Sequence, residues 1–537
     1  MDAGPAPASR RTRRANRTFH RKSALAPGAI NSDITVRAIS PICERRRQRE
    51  LTPPMNVNPR SSIGLRKWSA FRSLPFFLAF AIAILFPINL FAASAKLLVK
   101  NARIFSMAPQ QREPFTGYFV VAQDGTLTAV SAGDPPANIP ADEVFDAHGE
   151  WIIPGLISSH SHLWQAAYRG LAGDKTLISW IDDLYFKRAA KASPEDMYWF
   201  CLMGALNHLQ SGITTAYNFN YTRIYWRGGD DNEFDQAQFH AEEKSGIRFV
   251  HGYEPGMMAP GVTIDQARKR LKAFLEWSAS QPPSSDFLSV MINGGTAFNN
   301  TYQQSVMEKA LMDEFSLRNQ SHYLEPPEPV SQGEERAEFR WFMDSGMLSK
   351  KLIFGHFIHT DDYILQVTAK NDVAMTWNPL SNGRMASGVP DIPKYLKMGI
   401  RVGMGIDGEA SGDLADPFEN MRAGLYAIRD KYEDATIISP YQVLWLHTMG
   451  SADVLGVKNK LGSLEPGKFA DFVVINPARL GAVLEDPYAN LVFVTAQPDI
   501  DRVYVGGDLK VDHGQLLHQD MAKIRGEVNQ RAVSTSR

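Results

Sequence analysis

Four short motifs contain residue types at spacings that hydrolytic chemistry needs. They are His160 with His162, His322 with Glu325, His356 with His359, and Asp407. Imidazole and carboxylate groups bind borderline divalent ions such as zinc, and three imidazoles with one carboxylate leave room for a water molecule. An ion held in this way lowers the pKa of that water and makes it a nucleophile at neutral pH.

The spacing of the first motif favours a shared ligand site. Side chains alternate along an extended segment, so His160 and His162 project to the same side. A single histidine at the end of a strand is more often a hydrogen-bonded structural residue. Here, however, the motifs fall in order at the ends of predicted strands 1, 5, 6 and 8, and this order favours one metal site over several unrelated histidines.

Short apolar runs alternate with helical stretches after Pro154, and these runs predict eight strands. The strands end near Ser158, Asn218, Gly252, Asn293, His322, His356, Thr376 and Asp407. Ser193 before Pro194 is typical of a helix start, and Gly212 closes that helix. The alternation predicts an α/β fold, a (β/α)8 TIM-like barrel over residues 151–455, with the histidines at the carboxyl ends of its strands.

Hairpin patterns flank the barrel on both sides. Residues 96–150 and 456–520 contain alternating runs separated by turn residues such as Asp124-Gly125. They predict a small β-sandwich domain built from both ends of the mature chain. A tail over 521–537 follows it.

The first 95 residues differ in charge from the rest. They carry 16 Lys and Arg against 4 Asp and Glu, whereas residues 96–537 carry 41 against 54. Residues 1–54 contain arginine runs without apolar periodicity, which predicts a disordered basic extension. If translation starts at Met55, this stretch is not part of the protein.

Residues 55–95 contain the three parts of a signal peptide. A positive segment precedes an apolar run over 74–93, and Ala93-Ser94-Ala95 is a small-residue cleavage site. The run is also long enough to tether the chain to a membrane if it is not cleaved. Both alternatives predict an exported protein, periplasmic, secreted or membrane-anchored.

Composition narrows the function classes. The chain is 44% hydrophobic and 21% charged, as ordinary globular proteins are, and its 2 cysteines exclude a disulfide scaffold. A nucleic-acid partner would depend on the basic segment alone, and the acidic body argues against one.

Six sequence motifs resemble those of the amidohydrolase superfamily, in the branch of cytosine, guanine and adenosine-type deaminases and triazine chlorohydrolases. In chain order they are PGLISSHSHLWQAAYRGLAGD, SHYLE, GHFIH, TWNPLSN, MGIDGEAS and LGSLEPGKFADFVVIN. The resemblance covers the chain from Lys96 to Leu517. Their order is specific to the superfamily but not to one substrate.

The resemblance implies a role for each motif residue. It implies that one divalent metal ion, zinc or alternatively iron, is bound by His160, His162, His322 and Asp407. Glu325 would move a proton between water and substrate, and His356, rather than the alternative His359, would orient or polarise the water. Asp407 could also accept a proton. Two-metal relatives use a lysine near the end of strand 4, and FLSVMINGG has none, so one ion is expected.

Further side chains are candidates for substrate binding. Trp164, Gln165 and Arg169 follow the first motif, and His251 and Glu254 end the third predicted strand. Each could equally have a structural role. The long segment from Asn220 to Ser245 contains three aromatic residues that could form a lid or pack among themselves on the surface, namely Tyr221, Tyr225 and Trp226.

The sequence thus predicts a metal-dependent hydrolase acting on a carbon–nitrogen bond of a small molecule, with deamination of a heterocyclic amine or cyclic amidine as the preferred reaction. The alternatives are hydrolysis of an amide, a peptide-like compound or another leaving group. A non-catalytic binding protein on a retained barrel is a further alternative. The resemblance also implies that the chain could form homo-oligomers.

Overall fold

The computed structural model describes residues 94–222, 232–256, 261–299 and 301–537. The predicted basic extension, the predicted leader up to residue 93, and both Tyr225 and Trp226 lie outside these residues. Within them, no helix combines the length and the apolar composition that a membrane crossing needs.

The strands of the described residues are numbered in chain order. They are β1 (Ala95–Ile104), β2 (Phe115–Val121), β3 (Leu127–Ala132), β4 (Ala141–Asp146), β5 (Trp151–Pro154), β6 (Leu156–His162), β7 (Ile213–Phe219), β8 (Arg248–Tyr253), β9 (Phe287–Gly294), β10 (Arg318–Tyr323), β11 (Leu352–His356), β12 (Ala374–Trp377), β13 (Arg401–Met404), β14 (Asp407–Gly408), β15 (Phe472–Ile475), β16 (Ile500–Val505), β17 (Asp508–Asp512) and β18 (Gln515–Leu516).

Helices connect the strands. The α-helices are Leu177–Ile181, Pro194–Gln210, Glu233–Ser245, Ile264–Ala279, Thr296–Asn299, Tyr302–Glu314, Pro329–Asp344, Asp362–Lys370, Pro379–Arg384, Ile392–Lys397, Pro417–Tyr432, Pro440–Trp445, Ser451–Leu455, Pro487–Ala489 and Met521–Ser536. Shorter 3-10 and π-helical segments are Leu163–Tyr168, Asp182–Phe186, Ala189–Lys191, Leu446–Gly450, Pro477–Arg479, Asn490–Val494 and Gln497–Asp499.

Nine strands form the parallel sheet of the barrel, in the order β13-β12-β11-β10-β9-β8-β7-β6-β14. The eighth predicted strand is divided into β13, which pairs with β12, and β14, which pairs with β6. Only two residues separate β13 from β14 along the chain. The two ends of the sheet are therefore joined through this divided strand. The predicted α/β barrel is confirmed.

The second sheet contains strands from both ends of the described chain. Its order is β18-β17-β16-β15-β5-β1-β2-β3, with β4 paired to β1. Because β15 pairs with β5 and β1 also pairs with β5, the late strands continue the sheet that the early strands begin. All nine strands belong to this one mixed sheet, with apolar side chains such as Phe119, Phe145 and Phe472 in its core.

The helix Pro194–Gln210 supports the first barrel strand. It begins as predicted: Ser193 accepts a hydrogen bond from the Asp196 amide, and the Asp196 carboxylate accepts one from the Ser193 amide. A Cβ atom on Gly204 would lie 2.1 Å from the Leu163 carbonyl oxygen. Glycine therefore lets this helix approach the backbone that directly follows His162.

Candidate active site

Four predicted metal-binding side chains meet at the carboxyl end of the barrel. His160 and His162 lie on β6, His322 on β10 and Asp407 on β14, and one ligand atom from each lies within 4.8 Å of all the others. We call these four residues the ligand cluster. Asp407 Oδ1 is 3.3 Å from Nε2 of both His160 and His162, and the Nε2 atoms of His162 and His322 are 3.2 Å apart.

Hydrogen bonds behind the cluster set the orientation of two imidazoles. His160 Nδ1 donates to Gln320 Oε1 at 2.5 Å, and His162 Nδ1 donates to the Phe219 carbonyl at 3.1 Å. With Nδ1 protonated, each Nε2 keeps a lone pair directed at the cluster, as metal-ligating histidines require. His160 Nε2 is buried without a hydrogen-bond partner among the described residues, so the donor set fits one divalent ion.

Burial keeps three histidines of the site, His162, His322 and His356, neutral. It lowers the pKa of His162 and of His356 to about 3 and lowers that of His322 well below its ordinary value. Burial alone would raise the pKa of Asp407, but the facing His160, His356 and His162 hold it well below its usual range. Neutral imidazoles and an ionised carboxylate are the protonation states that bind a metal ion.

Glu325 and His356 lie beside the ligand cluster. The Glu325 carboxylate is 3.5 Å from His356 Nδ1, and His356 Nε2 is 3.8 Å from Asp407 Oδ2. Burial, together with the charges of Asp407 and Glu335, raises the pKa of Glu325 well above its ordinary value. A carboxyl group in this environment is suited to receive and return a proton.

Two polar side chains of the helix Pro379–Arg384 hold Asp407 and His356 in place. Ser381 donates from Oγ to Asp407 Oδ2 at 2.6 Å, and the Asn382 amide nitrogen lies 2.7 Å from His356 Nδ1. Asn382 thus lies against a predicted catalytic side chain.

Two site residues have left-handed backbone conformations. The φ angle is 65° at His356 and 64° at Asp407, a region that non-glycine residues adopt at a cost. Both residues lie where a barrel strand ends or is divided. Both side chains line the cavity described next.

A cavity of about 300 Å³ opens over the cluster. This volume is at the lower end of the range of small-molecule sites, roughly 300–1,000 Å³. His162, His322, His356, Asp407 and Glu325 line its floor. The predicted catalytic residues and three of the predicted ligands thus share one cavity, with His160 behind them.

Trp164, Gln165 and Arg169 do not line this cavity. The chain after His162 forms the 3-10 helix Leu163–Tyr168, which buries Trp164 and Gln165 behind Tyr185. Arg169 lies with its guanidinium 3.6 Å from Glu409. A strand continuing past His162 would have directed these side chains differently.

His251 and Glu254 also lie away from the cavity walls. His251 is fully buried, with Nδ1 2.8 Å from Glu242 and Nε2 3.7 Å from Asp235. Burial lowers the pKa of His251, but the two carboxylates outweigh it and raise the pKa to about 9. Glu254 accepts a hydrogen bond from the Gly256 amide at 2.7 Å.

The remaining candidates are His359, the alternative to His356, and the three aromatic residues of the possible lid. His359 Nε2 donates to the Ser387 carbonyl at 2.7 Å, so His356 is the member of that motif that reaches the cavity. Tyr221 is fully buried, with its ring 5.2 Å from that of Trp164. Tyr225 and Trp226 lie outside the described residues.

Sequence patterns did not indicate most of the cavity wall. Its apolar part comes from residues 177–186, with Phe219 and Met385 on other elements. The one available signal was the apolar run Leu177–Ile181 shortly after the first motif, at the end of the barrel where the ligands lie. Gln320 accepts the hydrogen bond that positions His160, a role that the sequence motifs did not indicate.

Comparison with known proteins identifies the family. The Amidohydrolase family model matches residues 151–510. The chain belongs to the amidohydrolase family. As such it is a metal-dependent hydrolase acting on carbon–nitrogen bonds of small molecules, and its ligand cluster has the donors for one metal ion.

Individual amidohydrolases are similar over most of the chain. A 5-methylthioadenosine/S-adenosylhomocysteine deaminase of Bacillus cereus is 27% identical over 433 residues, which are 79% of this chain and 96% of the relative. An adenosine deaminase from Xanthomonas campestris with bound zinc has a TM-score of 0.71 at 20% identity, covering 82% of this chain and 99% of that one. A zinc-complexed atrazine chlorohydrolase from Arthrobacter aurescens TC1 has a TM-score of 0.70 at 20% identity, covering 81% of this chain and 100% of that one.

Proposed function

We propose that this amidohydrolase deaminates a small heterocyclic amine or cyclic amidine. The observation that carries the proposal is the position of the Glu325 carboxylate, which lies in the cavity beside His356 and above the ligand cluster. A buried carboxyl group here can serve both proton transfers of a deamination. The deaminase names of the curated relatives support the same reaction.

The ligand cluster would hold the metal ion through three imidazoles and the Asp407 carboxylate. A bound divalent ion supplies a water molecule activated for attack at neutral pH. The hydrogen bonds from His160 to Gln320 and from His162 to Phe219 keep the ligand nitrogens directed inward. Their role is to fix the site before substrate enters.

Glu325 moves the protons. It takes one from water as the water oxygen bonds to the ring carbon that carries the amino group. It then returns the proton to the substrate so that the carbon–amine bond breaks and ammonia leaves. The products are ammonia and the corresponding cyclic amide, which balances one substrate molecule with one water molecule.

His356 and Asp407 act on the same water. His356 Nε2 faces Asp407, and the Asn382 amide at Nδ1 fixes the ring, so His356 orients the attacking water. Asp407 combines two roles: it would hold the metal ion, and it accepts the second proton of the water and passes it to the ring nitrogen as the cyclic amide forms. The hydrogen bond from Ser381 leaves its Oδ1 directed at the histidines.

An ammonia-release assay tests this proposal. The full chain, loaded with zinc, is incubated with aminopyrimidines, aminotriazines and aminopurines, and ammonia and product are quantified together. We expect equimolar ammonia and carbonyl product from at least one ring class. Release of carboxylate from amides or of chloride from chlorinated rings, with no ammonia from any amine, would contradict deamination.

A matched histidine pair controls for folding. His356→Gln should lower the rate because it alters the cavity, whereas His359→Gln changes a histidine that bonds a carbonyl outside it. Equal losses in both variants would argue against the role of His356.

We further propose that the enzyme is exported by the leader over 55–95, either cleaved after Ala95 or retained as a membrane tether. The positive segment, the apolar run and the small residues at 93–95 support this. Cell fractionation with amino-terminal sequencing tests it. A mature chain starting at Lys96 indicates cleavage, a membrane-bound chain with the leader indicates a tether, and a chain confined to the cytoplasm contradicts export.

A further inference from the structure

One side of the catalytic cavity is a continuous apolar surface formed by a single stretch of chain. It comprises the helix Leu177–Ile181 and the π-helical turn Asp182–Phe186, and we call it the 177–186 wall. The side chains that it contributes to the cavity are Leu177, Ile178, Trp180, Ile181, Tyr185 and Phe186.

The few polar atoms of this side are already engaged. Trp180 donates from Nε1 to the Ala410 carbonyl at 2.8 Å, and the Tyr185 hydroxyl is 3.4 Å from Gln165 Nε2. Across the cavity, Ser411 Oγ donates to the Gly408 carbonyl at 3.0 Å and accepts from the Gly408 amide at 3.2 Å. The wall therefore presents rings and alkyl groups to a ligand.

The charges of the lining side chains bear on which substrates the cavity can bind. Within the part of the chain that the structure describes, no lysine or arginine lines the cavity. A carboxylate or phosphate on the substrate would have no charged partner there. Ribose hydroxyls placed against the 177–186 wall would lose water without replacement, which costs about tenfold to a hundredfold in affinity for each unpaired group.

The outer edge of the wall is unusually exposed for apolar side chains. Ile178 is 55% exposed and Phe186 is 48% exposed, whereas Leu177 and Trp180 are 5% exposed. A substrate substituent lying between the inner and outer side chains would remove this apolar surface from water. The geometry points to a substrate that is apolar on the side away from the reacting carbon.

We propose that the substrate is an uncharged heterocyclic amine with an alkyl or aryl substituent, and that the 177–186 wall selects it against nucleosides. This rests on the proposed deaminase function for its chemistry. The reacting ring carbon lies over the ligand cluster, and the substituent lies against Ile178 and Phe186.

A homologous series of substrates tests the selection. Aminopyrimidines carrying hydrogen, methyl, propyl or phenyl at one ring carbon are compared with adenosine, using the metal-loaded full chain. We expect kcat/KM to rise about fourfold for each added methylene and adenosine to fall below the unsubstituted amine. A flat series, or a preference for adenosine over the propyl compound, would overturn the proposal.

Variants at the exposed edge of the wall test whether Ile178 and Phe186 cause the preference for substituted substrates. Ile178→Ser and Phe186→Ser should each reduce the ratio of kcat/KM between the propyl and unsubstituted compounds by about tenfold. Val533→Ser is the matched control, because Val533 is 51% exposed and lies on the helix Met521–Ser536, away from the cavity. An unchanged ratio in both edge variants would contradict a role for the wall.

Binding without chemistry separates this inference from the deaminase proposal. Calorimetry measures the affinity of propylpyrimidine, which lacks the amino group, for the wild-type chain and for Phe186→Ser. If this compound binds more tightly than adenosine and the variant weakens it, the wall selects apolar ligands even where no amine releases ammonia; in that case only the deaminase proposal fails. Ammonia release without this preference for apolar ligands would contradict the proposed role of the wall and leave the deaminase proposal intact.

Discussion

The ligand cluster and the 177–186 wall face each other across one cavity and are built in opposite ways. Every cluster residue lies on a barrel strand, and its polar atoms are oriented by partners such as Gln320 and Ser381. The wall lies on a connection between a strand and a helix and contributes rings and alkyl groups. The first region is fixed by hydrogen bonds between polar side chains of the site, the second mainly by packing, with one hydrogen bond from Trp180 to the Ala410 carbonyl.

This difference suggests how chemistry and selectivity are divided. Strand ends of a barrel are held by neighbouring strands, so ligands placed there keep their geometry when connecting segments change. A connecting segment can change its side chains without disturbing that frame. We therefore expect substitutions in the cluster to affect metal binding and rate, and substitutions in the wall to affect which substrate is used.

The largest effect is expected from removing a ligand. His322→Ala leaves three donors, so bound metal should fall from about one ion per chain to almost none, and activity should be lost. Elemental analysis of the purified chain measures this. His240→Ala, at a half-exposed histidine on the helix Glu233–Ser245, should keep its metal. Full metal content in His322→Ala would contradict the proposal that the ligand cluster binds the metal ion.

A proton-transfer variant should be nearly as damaging while leaving the metal in place. Glu325→Gln keeps the shape of the side chain but cannot take up a proton, so kcat should fall by about 10²–10⁴-fold. Steady-state kinetics and elemental analysis are measured together. Glu334→Gln, on the exposed side of the helix Pro329–Asp344, is the control. A loss below about tenfold would remove Glu325 from the proposed mechanism.

The polar scaffold behind the cluster should give a pH-dependent stability. His251 pairs with Glu242, which also accepts from Asn218, and Asn218 accepts from the Leu163 amide next to His162. Because the folded pKa of His251 is about 9, above its ordinary 6.5, the stabilisation is complete below pH 6.5 and is lost as the pH rises through 9.

Denaturant unfolding of the wild type and His251→Gln measures this contribution. The difference in the free energy of unfolding should be about 3 kcal/mol larger at pH 6 than at pH 10. Taking the difference removes other groups that titrate in this range, such as Glu335 with a pKa raised to about 8 by burial. A constant difference across this range would show that the His251 pair does not titrate as expected.

Two glutamines offer the most direct contrast between the regions. Gln320 accepts from His160 in the cluster, whereas Gln165 faces Tyr185 in the wall. Gln320→Ala should weaken metal affinity by about 10–100-fold, because His160 loses the partner that orients it. Chelator competition should show no such change in Gln165→Ala. If both variants lose metal affinity equally, the two regions are not independent.

The barrel and the catalytic motifs were predictable because each motif marks the end of a strand. His160 with His162, His322 and Asp407 lie on strands that their apolar runs had indicated, and parallel pairing brings those ends together. The helix from Pro194 began where its capping residues placed it. Local patterns were sufficient wherever a strand or helix determined the direction of a side chain.

The substrate-facing residues were not predictable in this way. Trp164 and Gln165 follow His162 in sequence, but the 3-10 turn after the strand buries them behind the wall. His251, which could have bound substrate or had a structural role, pairs with two buried carboxylates from the helix Glu233–Ser245. These outcomes depend on packing between distant segments, which no spacing along the chain encodes.

The divided eighth strand gives the proposed metal ion a second consequence. Asp407 belongs to the two-residue strand β14, whose partner β6 carries His160 and His162. A metal ion bound by these residues would cross-link the first and last strands of the barrel. It would close a loop containing nearly the whole barrel, in the same thermodynamic sense as a disulfide does. Removing the metal should therefore lower the unfolding temperature of the barrel as well as its activity.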